Sequence, residues 1–201
     1  MTDTKALAKA VRWVAWGYLL IHFHIEINGF DLLVDWGAWL LFWKAIQCLK
    51  TARPKAALLE RFCIVLGVWA VIQWQAFFSL PAALDPVSLV MRLIRIYFDF
   101  QLLTELAHLA GAIPDGGGEE LSKQILGART AVVVLQTATT LSGMVPVSFF
   151  DIGLLEYLWS GGMFFLVLLQ LAFILFLMYL LLELAKGLEK AGQLNVENLN
   201  K

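Results

Sequence analysis

The stretch PVSLVMRLIRIYFDFQLLTELAHLAGA, residues 86–112, carries Arg92, Arg95, Asp99, Glu105 and His108 in an otherwise apolar run. Guanidinium, carboxyl and imidazole groups strung along one apolar helix can pair with one another, or they can line a polar path for an ion, a proton or a small solute. At 100° per residue, Arg92, Arg95 and Asp99 fall within about 60° of one another. Asp99 follows Arg95 by one helical turn, so a local ion pair is within reach. Gln101, Glu105 and His108 gather on the opposite side. Hydrocarbon cannot solvate both stripes, since each charge at a bilayer centre costs about 2.5–3.5 kcal/mol. Asp99, near the middle, is the residue most in need of a partner.

A second cluster, HFHIEINGFDLLVDW at 22–36, holds His22, His24, Glu26, Asn28, Asp31 and Asp35 between two apolar segments. On a helix His22 and Glu26 would share a face, and histidine with carboxylate suits zinc or a similar ion. Further ligands would have to come from Asp35, Asp85, Asp151 or Glu156. His22, Glu26 and Asp35 are therefore expected either at the outer mouth of a polar route or, alternatively, around a metal. The plainest alternative is a solvated hairpin tip, with Asp31 capping the next helix and Asp35 in its first turn. No other cofactor is implied. Cys48 and Cys63 lack metal-ligand spacing and read as free thiols. The PDGGG loop at 114–118 is not followed by Gly-Lys-Ser/Thr, and no catalytic dyad or nucleophile elbow is present, so an enzyme is not expected.

The elements that must carry these residues are membrane helices. The chain has 201 residues, 60% hydrophobic and only 15% charged, with a mean hydropathy of +0.76. Phe62–Leu80, Ala131–Phe150 and Tyr157–Leu182 contain no formal charge over 19, 20 and 26 residues. Runs of this length span the hydrocarbon core as helices. The pattern predicts an all-α polytopic membrane helix bundle with segments near 6–27, 32–49, 57–80, 86–110, 121–145 and 154–188. Residues 1–190 form a single transmembrane helical domain and 191–201 a polar cytoplasmic tail that frays. Punctuation agrees: Asn28-Gly29 signals a turn, Arg53-Pro54 ends a helix, and Asp85-Pro86 starts one. Lys and Arg concentrate at the N-terminus, at 44–61, at 111–129 and at the C-terminus, while the loops at 27–31, 81–86 and 146–153 have none. Both termini are therefore expected inside. Only 31 residues separate Arg12 from Lys44, so four spans plus a re-entrant hairpin is the alternative to six. A net charge of −1 gives no reason to expect nucleic acid. The expected partners are the lipid bilayer and a second copy of the chain or another membrane protein.

The run GFDLLVDWGAWLL, Gly29–Leu41, resembles a motif of uncharacterised small multi-pass membrane proteins of Firmicutes that have an LLPDWxGYLL-like first hairpin. Leu32, Leu33, Asp35 and Trp36 agree with that pattern; Val34 replaces its Pro, and Trp39 stands at its Tyr. The resemblance implies a bacterial cytoplasmic-membrane protein of about six helices and carries no catalytic residue across. A more distant likeness, in size and helix number, is to the substrate-binding subunits of vitamin uptake transporters. Together the polar stripes and the apolar runs lead us to expect a small transporter or channel with a polar route along the fourth helix. The alternative is a non-transporting regulator or accessory subunit.

Overall fold

A computed structural model of the chain describes residues 4–22, 26–27, 30–31, 35–75, 85–113, 117–142, 144 and 153–199, of which 26–27, 30–31, 74–75, 85, 153–160 and 195–199 are described by backbone alone. The described residues are mainly helical and form six α-helices: α1 (Thr4–His22), α2 (Asp35–Ala52), α3 (Ala57–Gln75), α4 (Asp85–Gly111), α5 (Gly118–Ser142) and α6 (Gly153–Leu199). A 3-10 turn at Pro54–Ala56 joins α2 to α3. Its proline takes the first position, where its fixed φ suits a helix start and no N–H is missed.

Each helix packs against its neighbours in the chain, and α6 returns to pack on α1. The six helices thus close a ring in sequence order, the arrangement that short connections favour. The ring is filled. Tyr18, Phe42, Ile46, Phe98, Leu102, Leu106, Ile174 and Leu177 are fully buried. The aromatic members interlock, with Tyr18–Phe42 and Trp39–Phe98 centroids 5.2 and 5.3 Å apart in edge-to-face contacts and Phe42–Phe98 at 5.7 Å.

Three helical stretches, Pro54–Gln73, Gly118–Ser142 and Gly161–Leu194, are long and apolar enough to cross a membrane. Only 28%, 28% and 22% of their most apolar windows are buried. A soluble bundle would bury such helices. Here Ile64, Val68, Val134, Phe164, Phe165 and Leu168 face outward, which is the surface a hydrocarbon solvent calls for. Of the remaining helices α4 holds the most charge, with Asp85, Arg92, Arg95, Asp99 and Glu105.

Several sequence expectations shift. The first helix ends at His22, not near residue 27, because Glu26–Ile27 (β1) and Phe30–Asp31 (β2) pair as a two-residue antiparallel ladder. Asp31 is therefore a strand residue and not the cap of α2, which opens at Asp35. The Asn28-Gly29 turn signal, Pro114 and Pro146 lie outside the described residues. The tail expected to fray continues as helix to Leu199. Proline is absent from this stretch, and Arg12 of α1 holds Glu189 at 2.8 Å. Gly192 faces Thr4 so closely that a Cβ there would overlap its hydroxyl.

Two glycines give opposite expectations. A Cβ on Gly17 would stand 2.8 Å from Phe42 Cε1, inside the filled ring. One on Gly127 would meet nothing within 4 Å. Gly17→Ala should lower stability by about 1–3 kcal/mol through overpacking, whereas Gly127→Ala should raise it by about 0.5–1 kcal/mol through helix propensity. Thermal unfolding of both variants in detergent micelles checks the pair.

Candidate functional site: a polar cavity beside the fourth helix

Burial forces α4 to find partners for its charges. Asp99 is 2% exposed, and its two oxygens are held by different helices. Tyr18 of α1 donates to Oδ1 at 2.9 Å, and Gln136 of α5 donates through Nε2 to Oδ2 at 2.8 Å. The anticipated local ion pair with Arg95 is not formed: among the described residues neither Arg92 nor Arg95 has a carboxylate within ion-pair distance. The neutral donors Tyr18 and Gln136 occupy the carboxylate instead.

One turn toward the start of α4, Arg95 Nη2 lies 3.4 Å from His22 Nε2. The other ring nitrogen, Nδ1, is 2.9 Å from the backbone oxygen of Tyr18. A carbonyl only accepts and a guanidinium only donates. The Tyr18 carbonyl can only accept, so His22 Nδ1 is placed to donate to it. The end of α1 places this ring, since His22 follows Tyr18 by one turn and sits over it with centroids 6.3 Å apart.

Arg92 and Arg95 divide two cavities. The larger, about 410 Å³, lies between α1, α4, α5 and α6 and is lined on its polar side by His22, Gln136, Thr139, Thr140 and Gln170. The smaller, about 130 Å³, lies toward α2 and α3 and includes Asp35, Gln73 and Ser88. The structure thus gathers His22, Asp35, Arg92 and Arg95, with Asp99 buried one turn below. Glu105 and His108 belong elsewhere. Glu105, also 2% exposed, is held by Arg53 Nε at 2.8 Å near the far end of α4, and His108 is exposed. Between the two polar levels, Phe98, Leu102 and Leu106 are fully buried.

His22 and Glu26 are not one helical turn apart, as the metal alternative assumed, because α1 stops at His22 and Glu26 is in β1. Among the described residues no three His, Cys, Asp or Glu side chains are grouped to hold a metal; the side chain of Glu26 is not among them. The hydroxyls of α5 bond within their own helix: Thr137 donates to the oxygen of Val133, Thr139 to those of Leu135 and Gln136, and Thr140 to that of Gln136. Among the described residues these three bridge no neighbouring helix. Cys48 and Cys63 are free thiols, and Cys63 donates to the oxygen of Trp39 at 3.3 Å.

Comparison with protein-family models, curated proteins and solved structures returns no match for this chain. Function is therefore argued from the cavity itself. Sequence reasoning missed Tyr18 and Gln136 as the partners of Asp99. The available signals were weak: Tyr18 lies one turn before His22, and Gln136 interrupts the run AVVVLQ.

Tyr18→Phe removes one donor from a buried carboxyl while keeping the ring. It should cost about 1–3 kcal/mol of stability. Double-mutant analysis with Gln136→Leu should show coupling, because both side chains serve the same carboxyl group. Additive effects in thermal unfolding would contradict the shared role.

Proposed function

We propose that this chain is an integral membrane protein of six spans, with both termini on the side of the basic loops, that carries a small solute or ion through the cavity beside α4. The observation that carries this reading is the pair Arg92 and Arg95 facing a 410 Å³ cavity without a carboxylate partner among the described residues. Charges in such a place are costly to a membrane protein and mark binding or transport paths. The filled layer of Tyr18, Trp39, Phe42 and Phe98 argues for an alternating carrier over an open channel, since these buried rings pack together across the interior. The loops at 27–31, 81–86 and 146–153 would face outward in a bacterial cytoplasmic membrane.

A second reading, an accessory subunit of a larger membrane complex, is favoured by α6. Its 47 residues make a helix of roughly 70 Å, more than twice the hydrocarbon thickness, so a length of it would project from the bilayer toward a partner or a second copy.

Two measurements test the proposal. Fusions of alkaline phosphatase to the C-terminus should be inactive and fusions of green fluorescent protein bright; the reverse would overturn the topology. In reconstituted vesicles loaded with a pH dye, iso-osmotic potassium acetate, potassium phosphate, potassium chloride and glycerol serve as probes. At least one should cross faster than in empty vesicles, and Asp99→Asn should change that rate several-fold. Unchanged flux in a folded Asp99→Asn protein would sink the route.

A further inference from the structure

We infer that the larger cavity is a binding site for a small oxyanion, a carboxylate or a phosphate, that also carries hydroxyl or ammonium protons. The inference rests on the reading of the cavity as a solute site and adds the chemistry of what enters it.

The anionic half follows from the two guanidiniums. Arg92 makes no hydrogen bond or ion pair among the described residues, and Arg95 makes only the 3.4 Å contact to His22. Among the described residues no carboxyl lies within ion-pair distance of either. Both oxygens of Asp99 are occupied by Tyr18 and Gln136, and Asp35 lies on the other side, in the smaller cavity, without ion-pair contact to either arginine. Two guanidinium forks in a largely apolar setting match the geometry of a carboxylate or phosphate.

The donor half follows from the facing wall. Gln136 spends its amide N–H on Asp99, which fixes its Oε1 as an acceptor; that oxygen is buried and without a partner among the described residues. Thr139 and Thr140 spend their hydroxyl protons on carbonyls of α5. Thr139 and Thr140 thus offer the cavity oxygen lone pairs, and Gln170 of α6, which lines the same cavity, brings both a donor and an acceptor. A simple halide, or an anion without protons to donate, would leave these acceptors to water, and a site lined by acceptors favours a ligand that carries the donor. The cavity therefore reads an anionic end at α4 and a proton-bearing end at α5.

That chemistry is found in water-soluble hydroxy and amino acids, and also in the headgroups of phosphatidylglycerol or phosphatidylethanolamine. The test uses the full chain purified in detergent and follows binding by titration calorimetry and by the unfolding midpoint. The probes are sodium lactate, its hydroxyl-free counterpart sodium propionate, glycerol 3-phosphate and sodium chloride. Nanodiscs of phosphatidylglycerol are compared with nanodiscs of phosphatidylcholine. Lactate should bind at least three-fold more tightly than propionate, and chloride should not compete. Arg92→Gln, which breaks no hydrogen bond within the described residues, should weaken lactate or glycerol 3-phosphate binding ten-fold or more. Thr140→Val should reduce the preference for lactate over propionate. Binding of the soluble probes assigns a water-borne ligand; stabilisation by phosphatidylglycerol alone, again lost in Arg92→Gln, assigns a headgroup. Equal effects of chloride and the organic anions, or no loss on Arg92→Gln, would overturn the site. Binding without flux in vesicles would retain the site and remove transport; flux without oxyanion binding would do the opposite.

Discussion

One buried carboxyl group organises this molecule. Asp99 takes a hydrogen bond from α1 through Tyr18 and another from α5 through Gln136, so three of the six helices meet at two oxygens. A carboxyl in this position is costly unless it is held on both sides. The rest of the interior is arranged to permit it. Gly17 lets the Phe42 ring approach α1, and Phe42, Trp39 and Phe98 then pack around Tyr18 and close the ring at the level of Asp99. The same interaction aims the amide of Gln136, and thereby determines which of its atoms the cavity meets.

The consequence is a division of α4 into two polar levels with different work. Toward its start, Arg92 and Arg95 face open space and hold little. Toward its end, Glu105 is satisfied by Arg53 from the turn between α2 and α3, and Gln47 and Lys50 of α2 both donate to Glu60 of α3. The lower level is a structural clamp. At the upper level neither arginine has a carboxylate within ion-pair distance among the described residues, and an unneutralised charge on such a helix is the more informative condition.

Much of the architecture was legible in the sequence, because apolar runs and basic loops report directly on hydrocarbon. Helices α3 to α5 start and end within a few residues of the expected positions. The polar face of Arg92, Arg95 and Asp99 followed from the 100° repeat. The need of Asp99 for a partner was also readable; which residue met it was not. Tyr18 and Asp99 are 81 positions apart, and no local pattern encodes a contact across a ring of helices. The failure at His22 and Glu26 was of another kind. Helical spacing was assumed beyond the point where the chain leaves the helix, and β pairing at Glu26–Ile27 replaced it. The α5 threonines Thr137, Thr139 and Thr140 needed no partner from another helix, since a hydroxyl in an apolar helix can satisfy itself on its own backbone.

The central claim is that the polar cavity admits water and ends at the aromatic layer. Cysteine accessibility tests this most directly, in a Cys48→Ser, Cys63→Ser background and in intact vesicles. A membrane-impermeant thiosulfonate should label Thr139→Cys and Thr140→Cys from the side opposite the basic loops and leave Leu102→Cys and Leu106→Cys unlabelled. Equal labelling at all four positions, or none at Thr139→Cys and Thr140→Cys, would contradict the account.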